Sequence, residues 1–276
     1  CRIAAAEAVR RAAALLAADP DPGCDSAFDA WATPHESPSP SGLAVECRTE
    51  DAGRFFSWNN LASSGAMREK SAELAADLMT FCGIYSPDAK IAALADALDG
   101  DDDGAWEGDP HADPPYRAQN RLLRAPGELA AIPGWSAVLR APPDATSRRR
   151  FSAGTLAENA AVVPVDDGEE PLRVNVNTAS AELLLATAGL ARERAVETLL
   201  AYRANKPIAS LAAIFAARPD WTAQLDGTIS TASSWFRIRA EAETDEEGGR
   251  AVAVAWVRRD DAGGAAAIRQ WIWQDE

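Results

Sequence analysis

Residues 235–243 read WFRIRAEAE, and their alternation decides the fold. Apolar and charged side chains take turns at every position from Phe236 to Glu243, which is the period of a strand with one buried face. RAVAVAWVRR (250–259) and AIRQWIW (267–273) follow as two further predicted strands. The short polar runs EEGG and DDAGG separate the three segments as turns. The C-terminal part therefore predicts an antiparallel meander of three strands.

Upstream of the meander the apolar period changes from two residues to three or four. The opening CRIAAAEAVRRAAALLAADPD predicts a helix, since Ala, Arg, Leu and Glu are strong helix formers and the Asp-Pro punctuation ends it. LAVECR (43–48) predicts a short strand. Helical periodicity then runs from Ser64 to Leu98, with a break at Cys82-Gly83 and a restart near Pro87.

The middle of the chain is predicted to be helical with irregular connections. PGELAAIPGW (126–135) is interpreted as one short helix and residues 140–172 as a long connection. Residues 174–216 predict two or three helices, with Thr178 as an N-cap, a break at Gly189 and a third helix after Pro207. The fold class is therefore α+β, with a helical block inserted into a domain of one helix and a small antiparallel sheet.

Composition limits the classes of function. The 276 residues carry a formal net charge of −15, which repels nucleic-acid backbones and anionic lipids and suits cations or a basic partner surface. No stretch approaches the roughly 20 apolar residues that span a bilayer. The chain opens inside a helix without a start signal, so we expect that any membrane anchor lies upstream. Four cysteines without a zinc-site spacing leave both a disulfide and free buried thiols open.

The most acidic segment, residues 96–116, holds seven Asp and one Glu and no Lys or Arg. Its D-x-D-x-D-G run from Asp99 to Gly104 matches the first half of a calcium loop, and Glu107 falls at the ninth position of that pattern. The twelfth position is Pro110 rather than a bidentate Glu, so the match is incomplete. A calcium site and a solvated acidic loop therefore both remain open from the pattern alone.

A second motif lies in VNVNTASAELLLATAGLARERAVETLLAYRANKPI (174–208), which is similar to a helix-hairpin-helix module. Such modules bind nucleic-acid backbones through a Gly-x-Gly turn that lets a phosphate approach closely. The turn Gly189-Leu190-Ala191 lacks the second Gly. The nearby cations are Arg192, Arg194, Arg203 and Lys206, a weak basic patch in so acidic a chain. A packed hairpin without nucleic acid is favoured, and a DNA-binding protein of competence type is the alternative. No sequence pattern supports a catalytic site, so we expect that the protein is not an enzyme.

Several segments coincide, in order, with one family. The chain resembles general secretion pathway protein K, a minor pseudopilin of type II secretion systems. The resemblance rests on segments spread over nearly the whole chain: DAGRF (51–55), ALADALDGDDDGAWEGD (93–109), DPPYRAQN (113–120), GELAAIPGW (127–135), VNVNTASAELL (174–184) and SWFRIRAEA (234–242).

The resemblance implies a pilin-like domain formed by residues 1–57 and 229–276, with an α-domain, residues 58–228, inserted between them. It implies a calcium-binding part at 58–150 and a helix-hairpin-helix part at 174–216. It further implies a periplasmic protein anchored in the inner membrane, acting without catalysis at the tip of the pseudopilus together with the minor pseudopilins I and J.

The resemblance also implies calcium in the acidic region. Asp96 and Asp99 match a D-W-x-D-like segment of the family in which Ala97 replaces the Trp. Asp101, Glu107 and Asp109 fall in the matching region, whereas Asp103 is added by the loop spacing alone. The predicted metal ligands are therefore Asp96, Asp99, Asp101, Asp103, Glu107 and Asp109.

Overall fold

The computed structural model describes residues 1–36, 43–101, 103–109, 115–140, 155–166, 168–189, 192–217, 219, 225, 227–243, 249–260 and 265–274. Within these ranges the helices are α1 (Arg2–Ala17), α2 (Gly65–Phe81), α3 (Pro87–Leu98), α4 (Trp135–Leu139), α5 (Leu156–Asn159), α6 (Ala181–Ala188), α7 (Glu193–Arg203) and α8 (Leu211–Ala217). The strands are β1 (His35–Glu36), β2 (Ala44–Asp51), β3 (Phe56–Ser57), β4 (Gly108–Asp109), β5 (Tyr116–Arg117), β6 (Ala160–Ala161), β7 (Val174–Asn175), β8 (Ile229–Ser230), β9 (Trp235–Glu243), β10 (Arg250–Arg259) and β11 (Ala266–Gln274).

The main sheet is antiparallel and has the strand order β1-β2-β9-β10-β11. The three predicted C-terminal strands are confirmed, and β9 lies at the centre between β2 and β10. The alternation in β9 has the expected effect, because the side chains of Phe236, Ile238, Ala240 and Ala242 are all fully buried. The turns predicted at EEGG and DDAGG fall largely outside the described residues.

Helix α1 covers the buried face of this sheet. Its apolar stripe consists mostly of alanine, so the helix backbone can approach the strands closely. The stripe contacts β2, β9 and β10. Trp31, which follows α1 in the chain, packs edge-on against Phe236 with 5.2 Å between ring centroids. Helix, Trp31 and sheet together enclose one apolar cluster.

A second apolar cluster is built almost entirely from residues between β2 and β9. Helix α2 lies at its centre and contacts α3 and α6. Trp58 packs edge-on against Trp135, whose ring is fully buried, with 4.7 Å between centroids. The two-residue strands pair as β3 with β6, β4 with β5, and β7 with β8, which ties distant parts of this mainly helical segment together.

Three predicted elements differ from the structure. PGELAAIPGW is a 3-10 helix over Pro126–Ala131, and α4 starts only at Trp135, because Pro133 disfavours a helical Ile132 and Gly134 has a φ of +79°. Residues 140–172, interpreted as one connection, contain α5 and β6. The helix predicted directly after Pro207 begins at Leu211.

The structure bears on two further points of the sequence analysis, the state of the cysteines and the presence of a membrane-spanning helix. All four cysteines are free thiols, and Cys24, Cys47 and Cys82 are buried, so the alternative without a disulfide is the one observed. Among the described helices there is none with both the length and the apolar character needed to cross a membrane.

Candidate metal centre and buried polar network

The acidic segment begins on the last turn of α3. This helix buries its apolar face, and Asp96 lies on its half-exposed side one turn before the end. Asp99 is the C-cap residue, with extended backbone angles that turn the chain out of the helix. The first two predicted ligands are therefore positioned by a helix that is held firmly in the second apolar cluster.

Three of the predicted ligands converge. One carboxylate oxygen each from Asp99, Asp101 and Glu107 lies within 4.8 Å of the other two. Asp99 and Glu107 are half-buried, whereas Asp101 is exposed. The Oδ1 atom of Asp99 is buried and accepts no hydrogen bond from the part of the chain that the structure describes. The cluster thus presents oxygen acceptors toward one point, with one side open to solvent.

Asp96 lies beside this group of three rather than in it. Its Oδ2 accepts a hydrogen bond from the backbone amide of Trp106 at 3.0 Å. A Cβ placed on Gly104 would lie 2.5 Å from Asp96 Oδ2 and 2.9 Å from Glu107 Oε1. Both carboxylates therefore press against the backbone of Gly104, which explains why the half-loop pattern needs glycine at its last position.

Two more predicted ligands, besides Asp96, are not brought into this group. The carboxylate of Asp103 is exposed and lies outside the convergent cluster, and its backbone amide instead donates to Asp101 Oδ1 at 3.0 Å. Asp109 contributes backbone to β4, and its side chain lies outside the described residues. Their roles as ligands remain predictions.

The residues that brace the loop were not singled out as functional by the sequence. The backbone amide of Ala118 donates to the carbonyl of Glu107 at 2.7 Å, extending the pairing of β4 with β5. The side-chain amide of Asn120 donates to the carbonyl of Asp101. Tyr116 directs a buried hydroxyl toward the same region. All three belong to DPPYRAQN, so the signal was present as a motif without an assigned role.

The charges of the cluster influence one another. Burial and the neighbouring Asp101 raise the pKa of Asp99, while Arg68 opposes the rise. Arg68 Nη2 lies 3.7 Å from Asp99 Oδ2, a loose and partly solvated ion pair. Burial, together with Glu107 and Asp96, also raises the pKa of Tyr116. The cluster therefore carries negative charge that this single nearby arginine balances only weakly.

The motif VNVNTASAE forms a buried polar network rather than a surface. Asn175 Nδ2 donates to Asp51 Oδ2 at 2.7 Å and to the carbonyl of Asp25 at 3.0 Å. Asn177 donates to the carbonyl of Ile208 and accepts from its amide, which holds the chain extended before α8. The two asparagines therefore connect β7 to segments that are distant in sequence.

Thr178 was predicted as the N-cap of α6, and this is wrong. Ser180 is the N-cap, and its hydroxyl accepts from the amide of Leu183 at 2.9 Å. The Thr178 hydroxyl instead donates to Asp51 Oδ2 at 2.5 Å. Asp51 is almost fully buried. Burial raises its pKa, while the hydrogen bonds that it accepts lower the pKa by a smaller amount. A requirement of the tertiary network therefore outweighs the local capping preference.

A buried ion pair at Arg259 was not predicted by any local pattern. Its guanidinium is only 2% exposed and donates to Asp25 Oδ2 at 2.5 Å and to Asp19 Oδ2 at 2.8 Å. It also donates to the carbonyls of Ser233 and Pro22. Burial raises the pKa of Asp25 to about 7 although Arg259 opposes the rise. This arginine fastens the end of α1 and the following loop to β10.

The basic residues of the helical hairpin are only partly available to a ligand. Arg203 is half-buried and donates from Nη1 to the carbonyl of Val176 at 2.7 Å, and burial lowers its pKa. Lys206 lies over the ring of Tyr202, 4.9 Å from its centroid. Residues 190 and 191 of the predicted hairpin turn lie outside the described residues. Arg203 and Lys206 therefore serve intramolecular contacts.

Comparison with known proteins adds two findings. Residues 55–141, which include the whole acidic segment, match the family model for protein K of the type II secretion system. A chain in the crystal structure of the GspK-GspI-GspJ complex from the enterotoxigenic Escherichia coli type 2 secretion system shares the fold. The TM-score is 0.73 at 17% identity, over 98% of this chain and 94% of that chain. No curated protein sequence matches the chain. The sequence similarity to protein K thus covers residues 55–141, and the similarity of fold extends over almost the whole chain.

Proposed function

We propose that the protein is a minor pseudopilin at the tip of the type II secretion pseudopilus, where it helps to initiate and cap the fibre. The single observation that carries this proposal is the protein K match over residues 55–141. The role is structural, and we propose no enzymatic activity. We further propose that this chain is the periplasmic part of a protein anchored in the inner membrane.

The arrangement of the two apolar clusters supports a pilin-like domain with an inserted helical domain. The cluster between α1 and the sheet draws on residues near both ends of the sequence. The other cluster draws on residues from Phe56 to Ile229. Residues 1–57 and 229–276 would thus form the pilin-like domain, and residues 58–228 the inserted one.

Partner binding is the direct test of this role. The structural relative occurs in a complex of GspK with GspI and GspJ, and we propose that this protein binds the corresponding I and J proteins of its own system. The soluble regions of the three proteins would be mixed and analysed by size-exclusion chromatography with light scattering. A ternary complex is expected. Failure to bind either partner would contradict the proposed role.

We also propose that the acidic cluster binds calcium. Calcium prefers oxygen ligands at about 2.4 Å, so two ligands on opposite sides of one ion lie roughly 4.8 Å apart. The carboxylates of Asp99, Asp101 and Glu107 meet this limit without rearrangement. The buried Oδ1 of Asp99 supplies an acceptor in need of a cation. Asp96 lies outside this group of three, and we propose it as a further ligand only on its place beside Gly104. The ion would stabilise the loop and would take part in no reaction.

Thermal unfolding with and without calcium tests the site. A ligand at a hundredfold excess over its Kd stabilises by about 2.7 kcal/mol, a shift of a few degrees for a chain of this size. Magnesium should act less, because it demands a tighter octahedral shell. Glu107→Gln and Asp101→Asn should abolish the calcium shift. Asp103→Asn is the matched control and should retain it. No shift of the unmodified protein at millimolar calcium would refute the site.

The alternative function, DNA binding through residues 174–206, is discriminated by a salt series. Binding to a nucleic-acid backbone weakens steeply with salt, because counterions are released on association. With a net charge of −15 and Arg203 held by Val176, we expect no retarded band at physiological salt. A retarded band that disappears as the salt concentration rises would favour the competence-type alternative.

A further inference from the structure

One edge of the main sheet is formed by β11, which pairs with β10 on one side only. Within the described part of the chain, the backbone of Ala266–Gln274 forms no other hydrogen bond to a backbone group. The last strand at the opposite end of the sheet, β1, has only two residues and ends on a glutamate. Proteins commonly shorten or charge an edge strand in this way, because its unpaired backbone groups can otherwise take up another strand.

The sequence of β11, AAIRQWIWQ, is unusually apolar for an edge strand. It contains no proline and no lysine, and Arg269 is its single charged residue. Arg269 is also the extra residue of a β-bulge, at which the register with β10 shifts. Since a bulge disturbs pairing only locally, the protection that it gives is confined to this point. From Gln270 to Gln274 the register is unbroken, and this segment is open to a further strand.

Trp271 and Trp273 extend the apolar inner layer of the sheet to this edge. They stand opposite Ala255 and Ala253 of β10, which are fully buried below α1, whereas the two tryptophans are only half-buried. Their ring centroids lie 5.7 Å apart, and the guanidinium of Arg2 lies 5.5 Å from the Trp273 ring. Tryptophan is one of the residues that most often dominate the binding energy of an interface. A strand added to β11 would cover the exposed part of both rings.

The charges at this edge have the opposite sign to the net charge of the chain. Arg269 and Arg124 are exposed, and the side-chain amide of Gln270 donates to the carbonyl of Arg124 at 3.0 Å. Neither guanidinium forms an ion pair with a carboxylate of the described residues. The strand itself has no acidic residue, although the chain carries a net charge of −15. A segment that brings a carboxylate therefore complements this edge.

We propose that Gln270–Gln274 takes up an extended segment of a partner pseudopilin as an additional strand of the main sheet. Trp271 and Trp273 would pack against its apolar side chains, and Arg269 would bind a carboxylate that it carries. In strand addition, backbone hydrogen bonds supply affinity and alternate side chains supply specificity. This inference rests on the proposed function, since the partner is one of the I and J proteins. A second copy of the chain fits less well, because its β11 offers no acid to Arg269.

Amide hydrogen exchange in the complex tests strand addition directly. The whole chain is mixed with the soluble regions of the I and J proteins, singly and together, and exchange is followed by mass spectrometry. Peptides covering residues 266–274 should exchange at least about tenfold more slowly in the complex, because the outward amides gain acceptors. Peptides covering residues 44–51, near the other end of the sheet, should be unchanged. The mixtures with a single partner show which protein contributes the segment.

Variants assign the binding to this edge. Arg269→Glu reverses the charge at an exposed position and should weaken the complex about tenfold. Trp273→Ala should weaken it by at least about tenfold, as truncation of a central interface tryptophan does. Arg48→Glu is the matched control and should bind normally, since Arg48 is an exposed arginine of β2 with only a 4.0 Å contact to Glu46. Circular dichroism of each variant alone checks folding, and the exposed Arg269 keeps the test decisive if Trp273→Ala loosens α1.

Two results would overturn this inference and leave the tip role intact. The first is a ternary complex with unchanged exchange across residues 266–274. The second is normal complex formation by both Arg269→Glu and Trp273→Ala. Protection of residues 266–274 that grows with the concentration of the chain alone would also overturn it, since the occupant would then be a second copy. Absence of any complex would contradict the proposed function itself, and strand addition with it.

Discussion

The buried ion pair of Arg259 gives the sharpest test of how this fold is held together. Arg259→Met keeps an unbranched apolar stem and removes the guanidinium, which lies 4.8 Å from the centre of the Phe236 ring. The charge and the donors are lost, while Asp25 remains fully buried. Breaking a buried ion pair by removing one partner typically costs about 3–5 kcal/mol. We expect a loss of this size in the free energy of unfolding at pH 7.

The loss should depend on pH with a defined sign. In the unmodified protein the pKa of Asp25 is about 7 when folded, against an ordinary value near 3.9 when unfolded. Between pH 4 and 7 Asp25 is protonated in the folded state and ionised in the unfolded state. The free energy of unfolding therefore falls as the pH rises through this range. Without Arg259 the folded pKa rises further. Above pH 7 the variant alone keeps losing stability, by about 1.4 kcal/mol per pH unit.

Urea unfolding followed by far-UV circular dichroism at pH 6, 7, 8 and 9 measures this loss. Arg258→Met is the matched control on the same strand, since the Arg258 side chain is 33% exposed and pairs with Glu169. Its cost should be near 1 kcal/mol without a slope near pH 7. The reasoning is refuted by a loss below 1 kcal/mol for Arg259→Met, or by a loss that is constant between pH 7 and 9.

Three further outcomes follow from burial and capping. Phe236→Ala, in the fully buried face of β9, should lower the free energy of unfolding by about 3–5 kcal/mol in urea titrations, and a loss below 1 kcal/mol would contradict the assigned core. Ser180→Ala removes the N-cap of α6 and should cost about 1 kcal/mol by the same assay, whereas an unchanged value would contradict the cap. At pH 8 a thiol reagent should label only Cys1 in the folded protein and all four cysteines after denaturation, because burial raises the pKa of Cys47 to about 11 and that of Cys82 to about 12. Mass spectrometry counts the labels, and rapid labelling of Cys82 in the native state would contradict its burial.

The sheet could be predicted from the sequence because its signal is local and periodic. The alternation in residues 235–243 fixes both the strand and its buried face, whereas β10 is a nearly continuous apolar run that is buried on both faces. The central place of β9 between β2 and β10 could not be predicted, because no local sequence pattern indicates that residues 44–51 pair with β9. Elements determined by long-range pairing, such as β6, were missed for the same reason.

The acidic site was predicted in part for a related reason. Spacing identified Asp99, Asp101 and Glu107, because a half-loop pattern places alternating carboxylates on one side of a turn. The pattern could not show that Asp103 points elsewhere. It also could not show that Asn120 closes the loop from another segment, since that contact spans 19 residues. Local spacing therefore predicts the donors of a site better than the residues that brace it.

Three convergent carboxylates occur twice among the described residues, and the comparison shows why only one group is proposed to hold a metal. Asp19, Asp25 and Asp29 meet the same 4.8 Å limit as the acidic cluster. There, however, a buried guanidinium binds Asp19 and Asp25 at 2.8 and 2.5 Å, so the positive charge is supplied by the chain itself. In the acidic cluster Arg68 lies 3.7 Å from the carboxylate of Asp99, and Asp101 is open to solvent. The proposal of a bound cation is therefore confined to the acidic cluster, whereas the arginine-bound group already has its positive charge within the chain.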